Sequence, residues 1–340
     1  MNNETSISTD TIEDKLRNAF WRAVLKPVYE ITGEDDDYQF SGSIVARSIG
    51  SIQIGATSFN SQNYSRAPKL IAQGGLNQYI LQLITGGDLH GDFNGVDVKA
   101  KQGDIVIIDL TQTVESRASG GSRITVMIPR DELEKIVGWR NLHGLVMLAD
   151  APMTRLLFNY LRSLQSLNGD LDRIEAQSAQ DAMFILLGAT INGTEGGAVE
   201  ALPANLPMRK HILAYINENL SNPSLGPHLI IKSLRISRSR LYRALDMDGG
   251  VARIIRDKRL DRAYRILVDE RGRHVSLKEI AYRCGFHDGT QFTKAFKVRF
   301  GMSPKDARES DAALLSSDSA NFDYTIHVSE EAAKRSVDKP

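Results

Sequence analysis

The stretch LKEIAYRCGFHDGTQFTKAFKVRFGMSPKDAR, residues 277–308, decides the fold. Its first seven residues have helical texture. In the turn that follows, Ala281 is small enough for a close helix crossing, and Gly285 can take the left-handed backbone that a sharp reversal needs. Asp288 then offers a cap, with Gln291 three residues later in the arrangement of a capping box. Phe292 and Phe296 recur at i and i+4, so one stripe of the next helix is apolar while Lys294 lies on the opposite, wet face. Phe286 and Phe300 extend that stripe, and all four rings are expected to pack between helices and not to stack on bases.

The same plan stands 51 positions upstream, where Leu241-Tyr-Arg-Ala-Leu245 echoes Phe292-Thr-Lys-Ala-Phe296 and Arg243 matches Lys294. Ser237 is the expected N-cap there, with Ile236 and Leu241 in the positions of a hydrophobic staple, and HLIIKSL (228–234) is the preceding helix. Two helices, a tight turn and an outward-facing basic second helix make a helix-turn-helix, of the right width for a DNA major groove. Between the copies, GGVARIIRDKRLDRAYRILVD supplies one connecting helix. About eighteen helical residues span ~27 Å, close to the ~34 Å pitch of B-DNA, so the two motifs are expected to enter successive major grooves.

Charge agrees. The 340-residue chain is neutral, with 42 Lys+Arg against 42 Asp+Glu, but residues 205–309 carry 22 Lys+Arg and only 11 Asp+Glu. That segment is built to meet a polyanion. Cys284 is the only cysteine, which excludes a disulfide framework and Cys-rich zinc modules and fits a reducing cytoplasm. No run of eighteen apolar residues occurs, and the polar, acidic start does not read as a signal peptide, so a cytoplasmic protein with no membrane partner is expected.

From Ser41 to Arg130 the period is that of strands: GSIVARSI, IQIGATSF, QYILQLI, GDIVIIDL and RITVMIP, with Asn94-Gly95 as a hairpin signal. This predicts an antiparallel sandwich or barrel. Helical texture follows Pro129, and in PMTRLLFNYLRSLQSL the stripe Leu156, Leu157, Tyr160, Leu161 and Leu164 suits either packing on the barrel or a dimer face. The expected organisation is a loose leader (1–15), a sensor or dimerisation domain with a helical extension (16–191), a linker (192–207), a DNA-binding domain (208–309) and a mobile tail (310–340).

Residues 225–308 resemble the DNA-binding module of the AraC/XylS family of bacterial transcription regulators. The resemblance rests on ISRSRLYRAL, on GGVARIIRDKRLDRA and above all on the 277–308 stretch with its GF, F-x-x-x-F and FGMSP elements. The region 19–138 looks like the cupin-type sensor domain found in front of that module, chiefly through QGDIVIIDL. The implied fold class is α+β: an N-terminal cupin-like antiparallel β-barrel with helices, then an all-α domain of two helix-turn-helix motifs joined by a long helix. The implied function is a ligand-responsive activator acting with promoter DNA, RNA polymerase and a small-molecule effector, open to homodimerisation. The pattern is broken at Ile231, where the family has a small Ala, and at Arg235, where it has the turn Gly; a non-Gly residue there costs around 1 kcal/mol. Val251 replaces a proline at the start of the connecting helix.

Carried over residue by residue, the resemblance puts groove-facing places on Ser239, Tyr242 and Arg243 in the first motif. In the second they fall on Gly289, Thr290 and Lys294, of which Gly289 has no side chain to offer. Arg243 is the strongest base reader, since a bidentate guanidinium on guanine is worth ~1–3 kcal/mol of discrimination. Arg238, Arg240 and Gln291, beside them, are expected to contact the DNA backbone. Cys284 reads as a small buried turn residue.

Enzymatic readings fail on missing residues. His90 is the only histidine between Ser41 and Arg130, too few for a cupin metal site. A repair methyltransferase with a similar helical module needs an acceptor cysteine and ligands that Cys284 alone does not supply. No GxxxxGK[ST], HExxH or GxSxG stretch is present. The expectation is therefore no catalytic activity, metal or cofactor. The competing reading is a cupin-like enzyme or small-molecule binding protein with a vestigial helical module.

Overall fold

Alternating side chains along the Ile- and Val-rich segments build two antiparallel sheets. The computed structural model describes residues 4–137, 141–167, 171–194, 206–245, 250–268, 275–309 and 322–336. In order come β1 (Glu4–Ser8), α1 (Asp14–Leu25), β2 (Glu30–Thr32), β3 (Gly42–Ile49), β4 (Ile52–Phe59), β5 (Gln62–Arg66), α2 (Pro68–Gly74), β6 (Gln78–Gly86), β7 (Asp88–Phe93), β8 (Val96–Lys101), β9 (Ile105–Asp109), β10 (Val114–Ala118), β11 (Gly121–Pro129), α3 (Arg130–Val137), β12 (Val146–Met147), α4 (Pro152–Gln165) and α5 (Arg173–Thr194). One sheet has the order β1-β3-β4-β11-β6-β9-β12 and the other β2-β5-β10-β7-β8. They face each other as a cupin-like jelly roll whose two sheets do not merge into one closed barrel.

The larger sheet is covered on both sides. Its inner face, with Ile44, Ile80, Ile84, Val106 and Ile108, shares a core with Leu89, Phe93, Val98 and Val114 of the smaller sheet. Its outer face, with Ile54, Leu81, Leu83, Ile107 and Val126, packs on α3, α4 and α5. The α4 stripe resolves in favour of this packing: Leu157, Leu161 and Leu164 are buried, whereas Leu156 points away. The Asn94-Gly95 hairpin turns with both residues at positive φ, as a type I′ turn requires. Helix α1 stops at Leu25, two residues before Pro27.

The second half is helical: α6 (Leu206–Glu218), α7 (Pro227–Leu234), α8 (Arg238–Ala244), α9 (Val251–Val268), α10 (Leu277–Arg283), α11 (Gly289–Phe300) and α12 (Pro304–Glu309). Its two cores divide as the two motifs do. One gathers Ile212, Ile230, Leu241 and Ile255; the other gathers Leu260, Tyr264, Ile280, Phe292 and Phe296.

Both chain ends differ from the sequence expectation. Residues 4–8 are not a loose leader but β1, paired antiparallel with β3 from Glu4↔Arg47 to Ser8↔Ser43. Nor is the described part of the tail mobile: α13 (Tyr324–Ser336) returns to the jelly roll and packs on α1, β1 and β3. Phe322 and Val328 are buried in its core, and Thr5 bonds Ser329 at 2.7 Å. Neither end is held by its sequence neighbours: β1 pairs with β3 about forty residues on, and α13 is held across hundreds of residues. The predicted linker 192–207 falls mostly on residues 195–205, outside the described residues, as does the rest of the tail.

Candidate nucleic-acid interface

In the first motif the α7–α8 turn is closed by an Ile236 N–H donating to the Ile231 carbonyl at 3.2 Å, with Arg235 in the left-handed region (φ 51°, ψ 42°). Ser237 caps α8, its hydroxyl accepting from the Arg240 N–H at 3.2 Å. Ile236 and Leu241 are buried together, as the staple predicts. Burying Leu241, Ala244 and Leu245 turns the other side of the helix outward, so Arg238, Ser239, Arg240, Tyr242 and Arg243 are all exposed. The Arg238 guanidinium lies over the Tyr242 ring at 5.5 Å, and Arg243 donates to the Ser239 hydroxyl at 3.4 Å. These two i, i+4 pairs pre-order the strip that faces outward.

The second motif closes its turn with the same bond, Phe286 N–H to the Ala281 carbonyl at 2.9 Å, and Gly285 takes φ 82°. Asp288 caps α11 through the Thr290 N–H at 2.8 Å. Among the described residues Gln291 makes no reciprocal bond to the Asp288 N–H, so the capping box is half formed. Thr290, Gln291 and Lys294 are exposed, while Phe286, Phe292, Phe296 and Phe300 form the core. Cys284 is fully buried, and burial pushes its thiol up to about 11, which removes the thiolate that redox chemistry needs.

Three features that hold the motifs together were not expected from sequence. Arg259 of α9 donates to the carbonyls of Leu220 (3.0 Å) and Asn222 (2.6 Å), clamping the loop before α7. Arg299 of α11 makes a two-pronged pair with Asp261 of α9 at 2.7 and 3.0 Å. These bonds fix α9 to both motifs, and no local pattern announces them. Third, α2 of the jelly roll packs on α9 and α11, placing Ala72 in the second motif's core.

Beside that contact lies a cleft of about 1890 Å³ lined from both halves, by Asp109, Arg130 and Glu134 on one side and Lys258, Arg262 and Lys294 on the other. Arg130 donates to Tyr79 (2.7 Å) and Asn77 (2.8 Å) and pairs with Asp109. Burial alone would raise the Asp109 carboxyl, but Arg130 and the Thr111 bonds outweigh it and hold it below the usual carboxylate range. Glu134 also reaches Arg209 of α6 at 3.9 Å, an ion pair between the two halves. His90 is an exposed strand residue, and among the described residues no group of three His, Cys, Asp or Glu is placed to hold a metal. Likewise, no described helix is long and apolar enough to cross a membrane.

Comparison with known proteins agrees with this geometry. Residues 17–186 match the family model of the AraC-binding-like domain, half of the chain, and residues 230–310 match a helix-turn-helix domain. The HTH-type transcriptional regulator GadX of Escherichia coli O127:H6 is 24% identical over 249 residues, which is 70% of this chain and 85% of GadX. The HTH-type transcriptional activator RhaS of Escherichia coli O139:H28 is 30% identical over 106 residues, 31% of this chain and 37% of RhaS. The crystal structure of the AraC-like transcriptional activator CuxR superposes with a TM-score of 0.53 at 20% identity, covering 77% of this chain and 95% of CuxR, a likeness of fold.

Proposed function

The chain belongs to the AraC family of transcription regulators, and from that premise we propose that it reads promoter DNA by laying α8 and α11 into adjacent major grooves. One observation carries the reading: two motifs closed by the same turn bond, each turning a polar and basic face to solvent, the first tied to α9 through the loop before α7 and the second through α11. Arg243, Ser239, Tyr242, Thr290 and Lys294 are the proposed base readers; Arg238, Arg240 and Gln291 hold the phosphates. Base contacts specify and phosphate contacts position, so the two groups differ in what their loss does.

The N-terminal jelly roll is the proposed effector-sensing half of a cytoplasmic activator that works with RNA polymerase, alone or as a homodimer. Its route to the DNA-binding half is the α2 contact and the Glu134–Arg209 pair. The test is fluorescence anisotropy of the full chain on the promoter nearest its own gene, across salt and single-base changes. Arg243→Ala is expected to cost ~1–3 kcal/mol at one base position and to relax preference there. Arg238→Ala is expected to weaken all sequences alike and to reduce the salt slope by ~1. Equal losses on every sequence for both variants would remove the assignment of roles, and no shift of any promoter DNA would return the chain to the binding-protein reading.

A further inference from the structure

The inner face of the larger sheet is mostly apolar but carries several polar side chains. There Thr57, Gln82, Arg123 and Thr125 point between the sheets, because their neighbours Ile54, Leu81, Leu83, Ile124 and Val126 are taken up by the outer core. Strand register sets them side by side: Arg123 pairs with Thr57, and Thr125 with Gln82. They line a cavity of about 70 Å³, with Tyr64 from the smaller sheet and Tyr324 from α13 completing the wall. Among the described residues the side chains of Thr57, Gln82 and Thr125 have no hydrogen-bond partner. All three are half-buried, and a few convergent polar groups in an apolar cavity are the usual make-up of a ligand site.

The charge in this cavity is the informative part. Arg123 is only 2% exposed, and among the described residues no carboxylate pairs with it. Three of its donors meet main-chain carbonyls of Gly86, Ser122 and Asp88, around a bulge in the β6–β11 pairing. A guanidinium has five N–H donors, so two remain for the cavity side. Arg66 makes the contrast. It is equally buried, but all three of its nitrogens are engaged, in four bonds to the carbonyls of Leu110, Pro27 and Val28, and it does not line the cavity. Arg66 is a finished structural residue, whereas Arg123 is a buried cation with no carboxylate at ion-pair distance: Asp88 attracts it only from farther off, the Phe59 ring lies against it at 5.1 Å, and open space stands beside it.

We propose that this cavity is a ligand site for a small organic anion with an apolar body, its negative end meeting Arg123 and Tyr64 and its body displacing the Tyr324 ring. The assignment rests on the reading of the jelly roll as the sensing half. Space argues for the displacement: sites for small organic ligands run to roughly 300–1,000 Å³, several times what stands open here. Tyr324 is the one lining residue contributed from outside residues 25–127. Its N–H donates to Gln53 at 2.8 Å and its hydroxyl to the Val24 carbonyl at 3.3 Å, and its ring rests on Phe322 and His327 at 6.3 and 6.1 Å, so these are the contacts that displacement has to break.

Replacing the Tyr324 ring opens the site without requiring knowledge of the natural ligand. Calorimetric titration of the full chain carrying Tyr324→Ala uses two probes shaped like the missing ring, 4-hydroxyphenylacetate and its uncharged amide. The expected result is one site that takes the acid about ten-fold more tightly than the amide, as a charge-assisted bond gives. Adding Arg123→Gln should bring the two within about two-fold of each other. Binding of neither probe, or of both alike, overturns the site. Because the acid-to-amide ratio is read in Tyr324→Ala alone, the test stands even where the double variant fails to fold. Promoter affinity measured with the acid present separates the two readings: acid preference without any change in DNA affinity keeps the site and removes the sensing role.

Discussion

The two helix-turn-helix motifs close their turns with the same hydrogen bond, yet one does so with Arg235 and the other with Gly285. Backbone angle alone does not explain the difference, since both residues are left-handed. What differs is the neighbour. A Cβ on Gly285 would stand 2.4 Å from the Leu220 carbonyl and 2.7 Å from Arg259 Nε, whereas the Arg235 side chain is exposed. The glycine of the second motif is demanded by the joint between the motifs, at the place where Arg259 clamps the loop before α7. The first motif has no such joint at its turn, so the family's glycine there is a convenience worth about a kilocalorie.

Gly285→Ala is therefore expected to have the largest effect. Left-handed strain and a clash with backbone add to about 3 kcal/mol or more, seen as a lower melting temperature and loss of DNA binding by the full chain. A loss near 1 kcal/mol would mean the joint yields and would erase the contrast. Base reading is the next contrast. The first motif presents Arg243, the second only Thr290 and Lys294 beside the bare Gly289. Single-base changes under α8 should thus cost ~1–3 kcal/mol, and those under α11 less than about 1 kcal/mol, in anisotropy titrations of the promoter. The reverse order would overturn the assignment of Arg243 as the principal reader.

Most of the DNA-binding half was legible in the sequence because its signals are local. Ser237 and Asp288 cap helices a few residues away, the four Phe recur on one helical stripe, and Arg235 announces its own strain. What escaped lies in contacts without local signature. Arg259 reads as one more surface cation until it is seen on the Leu220 carbonyl, and Arg299 likewise until it meets Asp261. The jelly roll was legible as alternation, but alternation does not tell an inner face from an outer one when both are buried. That is why Arg123 went unremarked. The two chain ends were misread for the same reason, as β1 and α13 become structure only against partners far along the chain.

The jelly roll also packs two imidazoles whose neutral form burial favours. His143 accepts from the Asp109 N–H at its Nδ1 (3.0 Å) and lies 3.0 Å from the Thr113 carbonyl at Nε2, which fixes it as a neutral ring donating through Nε2. Burial lowers its pKa below 6.5, and burial does the same to His327 on α13. The stability these neutral rings contribute is fully present above about pH 6.5 and is lost as pH falls through the lower folded-state values. Melting of the full chain at pH 5.5 against 7.5 should show the jelly roll weakening, and His143→Gln with His327→Gln should shrink that difference. An unchanged pH dependence would remove both imidazoles from the acid response.

The smallest expected effect tests the comparison most directly. Arg235→Gly puts the family's residue back into the first turn, and two opposed terms decide the outcome. Relief of the left-handed strain favours the folded state by about 1–2 kcal/mol, while the extra freedom of glycine in the unfolded chain costs about 0.5–1 kcal/mol. A net gain of roughly 0.5–1 kcal/mol is expected in chemical unfolding of the full chain, with the denaturant slope unchanged because no surface is newly buried. DNA affinity should lose only what one exposed cation contributes. A gain well beyond that range would mean that Arg235 strains the α7–α8 turn beyond its own φ. A net loss would mean that its side chain does work at the protein surface, and the two turns would then differ by function and not by neighbourhood.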